Sequence, residues 1–559
     1  MHHGPQALEP HGNQYLVDGL EPSVHRPRAQ TRTIGDTPRR NAIDAELVEH
    51  PNSGVENTLV VLRNCSSLRT VPVHGGDLGT RILLRGSSRC TRPPNDRGLP
   101  GERCTYDDGV DDKTPVLAVQ GTILQTPTPN ALEVHSDVVL AVGGEGDILA
   151  VEPSGSSAAL AITDCAVRTL RLSPSQRLLP GLIDTHIHAP QWPQLGVGLD
   201  IPLERWLFEY TFPLESRYAD AAFAQSVWDH MVPSLLSYGT TTAVYFCTIH
   251  EEATRLLAET CLREGQRAYV GRVAMDHPEG TPEYYRDESA VAGVSASARS
   301  IEQIRALDDP LHLVQPIITP RFIPACTDEL LRGLGELAAR TQALVQTHCS
   351  ESDWEHGYVI DRHGCSDTES LRRLGLLRRG TVLAHGNHLG DADLVSIASV
   401  GAGVAHCPLS NAYFAGAVFP TQRALRLGVQ IGLGSDVSGG AHPGLLPQCA
   451  MAVTSTRIGE DGVDALLPAA QRGMPDTRID TVTAFHLATA GGAGLLGAPL
   501  GLLEPGRQFD AIVVDLEREH SALRAWDGLD TEDRIFEKIV RLASPADISA
   551  VFVAGRRVR

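Results

Sequence analysis

The segment PGLIDTHIHAPQ, from Pro180 to Gln191, carries two histidines at alternate positions after an apolar run. Side chains at positions i and i+2 of a strand lie on the same side of it. If the run is a strand, His186 and His188 direct two imidazoles at one point. Such a pair alone is as often structural as functional, so its interpretation depends on the rest of the chain.

Apolar runs and helical stretches alternate over the middle of the chain. The helical stretches include DELLRGLGELAART at residues 328–341. The apolar runs are LLPGLIDTHIH, TTAVYFCTIH, RAYVGRVAM, LHLVQPIITP, ALVQTHCSE, TVLAHG, AGVAHCPLS and VQIGLGSD. About eight strand–helix units predict an α/β fold with a (β/α)8 TIM-like barrel, which we assign to residues 179–496. Functional residues of such barrels lie at the carboxyl ends of the strands.

Shorter β-rich runs flank this region on both sides. They are PVLAVQGTILQ, DVVLAVGG, DILAVEP and VRTLRLSP before it, and FDAIVVDLE and ISAVFVAGRRV after it. Turn residues separate the runs, which is typical of antiparallel strands. We expect residues 113–178 and 497–559 to form one small β-sandwich domain.

Residues 1–112 differ in composition from the rest of the chain. The stretches RPRAQTRTIGDTPRRNAIDAE and RGSSRCTRPPNDRGLPGERCTYDDGVDDK are polar and rich in charge, glycine and proline, and NTLVVLRNC is the one convincing apolar run. Such composition buries too little apolar surface to offset the entropy of ordering. The sequence predicts a disordered N-terminal extension.

Composition restricts the classes of partner and location. Among 559 residues, 48 are Lys or Arg and 68 are Asp or Glu, which gives a net charge of −20 and argues against a nucleic-acid partner. No apolar run is long enough for a membrane helix, and no secretory signal is visible at the start. Eleven cysteines without a CxxC pair indicate free thiols in a reducing compartment, so we expect a cytoplasmic protein.

Three further strand ends carry residues that bind metals. His348 follows one apolar run, His385 ends another, and Asp436 follows a third in a glycine-rich turn. His385 or Asp436 alone is more often structural. Together with the histidine pair, however, these three residues make five at strand ends in barrel order, which indicates one site. Nitrogen and oxygen donors without paired thiolates suit an open catalytic Zn²⁺ or Fe²⁺ site.

A bound divalent metal lowers the pKa of its water from about 15.7 to about 7, and protons must then be moved. Glu351, three residues after His348, is the predicted proton shuttle. Asp436 can accept the proton of the water while it contacts the metal. His385 can polarise the substrate or orient the attacking hydroxide.

Several motifs together resemble the amidohydrolase superfamily: PGLIDTHIH, the H-x-x-E of residues 348–351, the AHG of 384–386 and the GSD of 434–436. Within it, other segments resemble the guanine deaminases. They are HAPQW (188–192), LERWLFEYTFPLE (203–215), TPRF (319–322), THCSE (347–351), HCPLSN (406–411) and GSDVSGG (434–440). The motifs occur together and in order, and the resemblance covers about residues 115–559.

The resemblance implies zinc-dependent hydrolysis of guanine to xanthine and ammonia by a homodimer with one Zn²⁺ per chain. It makes His186, His188, His348 and Asp436 the metal ligands. It makes Glu351, Asp436 and His385 catalytic, with His385 also beside the substrate. Gln191, Arg321 and Phe322 are implied to bind the purine. An amide offers a donor and an acceptor, and a guanidinium donates to a carbonyl or a ring nitrogen.

Other functions stay open at this point. A related amidohydrolase could act on another aminated ring, such as an oxidised purine, a pterin or a triazine, and a non-catalytic scaffold could keep the barrel.

The run LHLVQPIITP lacks a lysine that could bridge two metals, so we expect a single ion. Leu409 within HCPLSN stands where the family usually has a polar residue, which leaves its local contacts open.

Overall fold

The structure, a computed structural model, describes residues 114–559 and the backbone of two short strands before them. The chain separates into two units, Met1–Glu102 and Arg103–Arg559. In the first unit, strand β1 (Ala45–Val48) pairs antiparallel with β2 (Leu59–Leu62), which lies in the run NTLVVLRNC. The predicted disorder of residues 1–112 otherwise falls outside the described residues.

The remaining strands form two groups, which the following bounds define in chain order. They are β3 (Leu117–Thr128), β4 (Ala131–Val142), β5 (Ile148–Pro153), β6 (Arg168–Arg171), β7 (Gln176–Pro180), β8 (Leu182–His188), β9 (Thr240–Phe246), β10 (Arg267–Gly271), β11 (Val273–Ala274), β12 (Val314–Pro320), β13 (Leu344–Cys349), β14 (Thr381–His385), β15 (Gly403–His406), β16 (Gln430–Leu433), β17 (Ala511–Asp515), β18 (Ile548–Val553) and β19 (Arg556–Arg557).

Eight parallel strands form a nearly closed barrel in the order β16-β15-β14-β13-β12-β10-β9-β8, with β11 beside β12. Where its two ends meet, the Asp436 amide donates to the His186 carbonyl over 2.9 Å, and the His188 amide donates to the Val437 carbonyl over 3.0 Å. Each apolar run of the sequence contains one of the eight strands. The predicted barrel is confirmed.

Most of the helices lie between the barrel strands or follow the last of them, whereas the first and the last lie between strands outside the barrel. Their bounds are α1 (Ser157–Cys165), α2 (Leu203–Trp206), α3 (Phe212–Ser216), α4 (Ala221–Ser237), α5 (Glu251–Glu264), α6 (Ala290–Arg305), α7 (Asp328–Thr341), α8 (Asp353–His363), α9 (Asp367–Arg373), α10 (Asp391–Val400), α11 (Pro408–Ser410), α12 (Thr421–Arg426), α13 (Leu445–Asp461), α14 (Ala469–Arg472), α15 (Thr481–His486), α16 (Gly492–Leu496) and α17 (Glu532–Leu542). Because helices cover the barrel, every residue of β8 and of β9 is buried, and such strands appear in the sequence as continuous apolar runs.

Helix α7 shows how local sequence sets these elements. Thr327 caps the helix by accepting a hydrogen bond from the Leu330 amide over 3.2 Å, and Asp328 and Glu329 complement the positive end of the helix dipole. The helix ends at Gln342, whose φ of 58° lies in the left-handed region. Its bounds match the predicted stretch 328–341.

A second sheet combines segments from both flanks of the barrel. Its order is β19-β18-β17-β7-β3-β4-β5, with β6 also paired to β3, and the β7–β17 ladder joins the N-terminal and C-terminal segments as predicted. The pairings of β3 with β6 and with β7 are parallel, however, where the sequence predicted antiparallel strands. Helix α1 carries the chain back between β5 and β6, and a crossover of that kind permits parallel pairing.

The two halves of this sheet share a core. Leu117 and Leu140 of the N-terminal strands pack in one buried cluster with Val513 and Phe552 of the C-terminal strands. Side chains from two facing layers meet in this way in a β-sandwich. The domain boundaries given above stay a prediction.

The second sheet is tied to the barrel by a buried ion pair. Arg267 Nε of β10 donates to Asp510 Oδ2 over 3.0 Å, and the side chains are 10% and 3% exposed. Ile512 and Val514 of β17 belong to the same apolar cluster as the barrel and its helices. Within residues 114–559, no helix is long and apolar enough to cross a membrane.

Candidate active site

The histidines and carboxylates predicted from the sequence converge at the carboxyl ends of the barrel strands. We call the four predicted metal ligands the donor cluster: His186 and His188 of β8, His348 of β13, and Asp436 of the turn after β16. His385 ends β14 and lies beside them. Parallel strands bring these ends to one mouth of the barrel, although the residues span about 250 positions of sequence.

The donor atoms of the cluster lie within contact of one another. His188 Nε2 is 2.9 Å from His348 Nε2, His186 Nε2 is 3.1 Å from Asp436 Oδ1, and His188 Nε2 is 3.6 Å from the same oxygen. Ligand atoms of His186, His188 and Asp436 lie within 4.8 Å of each other, as do those of His186, His348 and His385. One small ion could contact all of them.

Hydrogen bonding in the cluster fits a cation. His348 Nδ1 lies 2.7 Å from the Arg321 carbonyl, to which it can only donate, so its Nε2 carries a lone pair. That lone pair faces another ring nitrogen at 2.9 Å. Both ring nitrogens of His186 and the Nδ1 of His188 are buried without a hydrogen bond. Three nitrogens and a carboxylate oxygen are a typical Zn²⁺ donor set, so these residues fit the ion.

Burial also favours the protonation state that coordinates metals. It lowers the pKa of His186, His188 and His348 well below the usual histidine value, and the neighbouring imidazoles lower it further. Neutral imidazole is the form that binds a metal.

Glu351 and His385 lie beside the donor cluster. Glu351 Oε1 is 3.6 Å from His385 Nε2, which is 4.0 Å from Asp436 Oδ2. Burial raises the pKa of the Glu351 carboxyl well above its ordinary value, and the charge of Asp436 raises it further. Glu351 can therefore hold a proton next to the cluster.

A buried amide orients His385. Asn411 Oδ1 lies 3.0 Å from His385 Nδ1, which leaves Nε2 directed at the carboxylates. The Asn411 amide nitrogen is 3.4 Å from His406 Nδ1, and burial lowers the pKa of His406 to about 3. Asn411 belongs to the HCPLSN segment, but the sequence analysis gave it no role.

The turn that carries Asp436 is held against β8. Asp184 Oδ1 accepts the amide of Ser435 over 3.0 Å and the amide of His186 over 3.2 Å, and burial raises the pKa of Asp184 to about 7. A Cβ on Gly434 would lie 2.8 Å from the Cβ of His186, so only glycine permits this approach. Asp436 itself has a φ of 49°.

Gln191, Glu215 and Arg321 form a second group, which we call the reading wall. Arg321 Nη1 donates to Glu215 Oε2 over 2.6 Å, and Nη2 donates to Glu215 Oε1 over 3.2 Å. Gln191 Nε2 donates to Glu215 Oε1 over 3.0 Å, while Gln191 Oε1 accepts the Ser438 amide over 3.1 Å. The Arg321 guanidinium also lies 4.9 Å from the centroid of the Phe212 ring.

Residues of the donor cluster and of the reading wall line one cavity. Phe322 lines it, with its ring centroid 6.0 Å from that of His348, and Trp206 lines it, with its ring 5.1 Å from that of Phe414. The lining residues are His188, Gln191, Leu203, Trp206, Leu207, Arg321, Phe322, His348, Glu351, Phe414, Asp436 and Gly439. Apolar walls with few polar groups are typical of small-molecule sites.

Glu215 is the main residue that sequence reasoning missed. It lies in the segment LERWLFEYTFPLE, whose likeness to a known family was noted, but a single glutamate in a helix is normally solvated. Its complete burial against Arg321 is visible only in the fold. Leu409 is half-buried and does not line the cavity, and its amide donates to Gln448 Oε1 over 3.3 Å.

The family and the relatives that this chain resembles agree with one another. Residues 177–558 match the amidohydrolase family. A probable guanine deaminase of Schizosaccharomyces pombe is 36% identical over 452 residues, which cover 78% of this chain and 82% of the relative. A guanine deaminase of Mus musculus is 33% identical over 459 residues, which cover 80% of this chain and 98% of the relative.

A solved structure shares the fold of the barrel and the second sheet. The crystal structure of guanine deaminase from C. acetobutylicum, with guanine bound in its active site, superposes with a TM-score of 0.70 at 28% identity. The match covers 79% of this chain and 99% of that one.

Proposed function

The chain belongs to the amidohydrolase family, and from that premise we propose that it hydrolyses guanine to xanthine and ammonia. One observation carries the proposal: residues of the donor cluster and residues of the reading wall line the same cavity, so a ring held by the wall lies beside the cluster. Relatives named as guanine deaminases at 33–36% identity support this substrate. The enzyme is a hydrolase that acts on a C–N bond of a cyclic amidine.

A single zinc ion fits the donor cluster. His186, His188, His348 and Asp436 would hold it, because their donor atoms are buried, close together and in part without hydrogen bonds. When bound, zinc supplies a Lewis acid that makes water nucleophilic at neutral pH.

The side chains around the cluster divide the proton transfers. The oxygen of water forms a bond to C2 of guanine, a ring nitrogen gains a proton, and the bond from C2 to the amino group then breaks to release ammonia. Asp436 accepts the proton of the attacking water. Glu351 borders the cavity and delivers its own proton to the ring nitrogen. It then takes the second water proton from the new hydroxyl on C2 and delivers it to the departing amine. Asp436 finally passes the first water proton to Glu351, which restores the starting state. His385, held by Asn411, orients the attacking oxygen.

The reading wall and the aromatic lining hold the ring. Arg321 has only donors and pairs with a carbonyl or a ring nitrogen, whereas Gln191 offers both a donor and an acceptor. Phe322 packs against the purine, because it lines the cavity beside His348. A buried polar site of this kind discriminates against rings that lack the matching group.

The proposal also includes a homodimer, which rests on the family resemblance, and a cytoplasmic location, which rests on the cysteine usage. Light scattering on the purified protein tests the first, because a monomer at assay concentration would exclude it. Fractionation of source cells tests the second.

Incubation of the purified protein with guanine is the direct test. Xanthine formation is followed by its ultraviolet absorbance, and ammonia release and zinc content are measured on the same samples. We expect one xanthine and one ammonia per guanine from protein with about one zinc per chain. A pterin and a triazine are assayed beside guanine. Absence of guanine turnover in zinc-replete protein, or faster turnover of either other ring, would overturn the assignment.

A further inference from the structure

Glu215 is a charged side chain that contacts both residues predicted to read the purine. Its carboxylate accepts two hydrogen bonds from Arg321 and one from Gln191. Glu215 is absent from the cavity lining, so it stands behind the two readers rather than beside the ring. One carboxylate therefore holds two side chains through hydrogen bonds.

The pairing is completely desolvated. The side chain of Glu215 is fully buried, and that of Arg321 is 2% exposed. A charge removed from water to this extent is costly unless its partner stays in place. Two parallel hydrogen bonds from a planar guanidinium also fix its direction, because the fork fits a carboxylate in one arrangement.

The same carboxylate determines which way the Gln191 amide faces. Nε2 donates to Glu215 and Oε1 accepts the Ser438 amide, so a flipped amide would oppose an acceptor to an acceptor and a donor to a donor. One N–H and one lone pair of Gln191 stay available to a ring. Arg321 keeps further N–H donors, which suit an acceptor such as a carbonyl oxygen.

We propose that Glu215 is the positioning residue that sets specificity for a purine carrying an oxo group, by holding Arg321 and Gln191 in one arrangement. This inference rests on the proposed function. Without the carboxylate, the guanidinium loses the two hydrogen bonds that fix its direction, and the Gln191 amide loses its acceptor. Recognition of the oxo group is then lost, while the donor cluster keeps its own ligands.

Selectivity between two substrates tests the proposal. Guanine and 2-aminopurine carry the same amino group at C2, and only guanine has the oxo group. The ratio of their kcat/KM values does not depend on the fraction of active protein, so a merely structural defect leaves it unchanged. Wild-type turnover of guanine is measured first, so that failure of the proposed function is recognised separately.

We expect Glu215→Gln to raise the KM for guanine and to lower the guanine to 2-aminopurine ratio by about tenfold or more, with zinc content unchanged. Arg321→Met should lower the ratio to a similar value. The double variant Glu215→Gln/Arg321→Met leaves no unpaired buried charge and is the form expected to fold best. Its ratio should equal that of Arg321→Met, because an amide oxygen at position 215 still accepts the hydrogen bond from Gln191, so that only the pairing with Arg321 is lost.

Asp510→Asn is the matched control. It breaks another buried arginine–carboxylate pair, between Arg267 and the second sheet, away from the cavity. We expect a lower melting temperature with an unchanged ratio. An unchanged ratio in Glu215→Gln, or a further fall in the double variant beyond Arg321→Met, would overturn the inference.

Discussion

The two sides of the cavity differ in how their polar groups are satisfied. In the donor cluster, ring nitrogens of His186 and His188 are buried without hydrogen bonds. In the reading wall, by contrast, Glu215 is paired with both Gln191 and Arg321. A buried polar group without a partner is costly, so the donor cluster is built for a partner from outside the chain, whereas the reading wall is complete without one.

Because of this difference, substitutions on the two sides should impair the enzyme in different ways. Loss of a ligand in the donor cluster should cost the metal and the chemistry together. Loss of a reader should alter the affinity for the ring and leave the metal in place. Zinc content and guanine kinetics, measured on the same variants, distinguish the two kinds of failure.

His186→Ala should lower both zinc binding and guanine turnover. The side chain is fully buried and contributes the nitrogen nearest to Asp436. We expect zinc content well below one per chain and a loss of turnover greater than about 10³-fold. Metal analysis and guanine kinetics measure the two effects. His135→Ala, on β4 and 38% exposed, is the control that should keep both, and full zinc occupancy in His186→Ala would remove His186 from the ligand set.

Glu351→Gln should separate chemistry from metal binding. The amide keeps the shape of the side chain but cannot carry the proton, so kcat should fall by about 10²- to 10⁴-fold while zinc content stays that of the wild type. Asp353→Asn is a nearby control, because its side chain is 95% exposed. A fully active Glu351→Gln enzyme would refute the shuttle assignment.

Gln191→Leu should change recognition alone. It removes the donor and the acceptor that Gln191 offers to the ring, which should raise the KM for guanine about tenfold or more. The Ser438 amide also loses its acceptor, which should cost about 1–3 kcal/mol of folding stability. Gln194→Leu is matched, because Gln194 is buried nearby and donates to Thr211 but does not line the cavity. Zinc loss in Gln191→Leu would contradict the separation of the two sides.

His356 should give a small pH effect outside the cavity. Its hydrogen bond to Asp367, at 2.9 Å, raises the pKa of His356, and the charges of Asp393 and Asp353 add to this while partial burial opposes it. A histidine with a raised folded pKa stabilises the protein below its unfolded pKa, near 6.5, and this contribution is lost as the pH rises through the folded value. The gain stays below about 1 kcal/mol because solvent screens the pair.

Melting temperatures of wild type and His356→Gln across pH 5–9 measure this effect. The difference between them should be larger at the acid end and should shrink above neutral pH. A difference that grows with pH would exclude the charged histidine as its cause. The same curves show which part of any pH dependence of turnover belongs to the fold rather than to the cavity.

Much of the architecture was predictable from local patterns. Continuous apolar runs mark strands that are buried on both faces, and each predicted run contains a barrel strand. Helix α7 has the bounds of the stretch 328–341 that the sequence predicts as helical. The parallel pairing of β3 with β6 was not predictable, because strand direction depends on the path of the intervening chain.

The order of residues along the chain is enough to put donor-type side chains at the strand ends, so that His186, His188, His348 and Asp436 could be recognised as one donor set. The inward direction of Glu215, its link between Gln191 and Arg321 and its shielding from water appear only once the chain is folded. A strand end has a position fixed by local periodicity, whereas the burial of a single charge depends on distant segments that close over it.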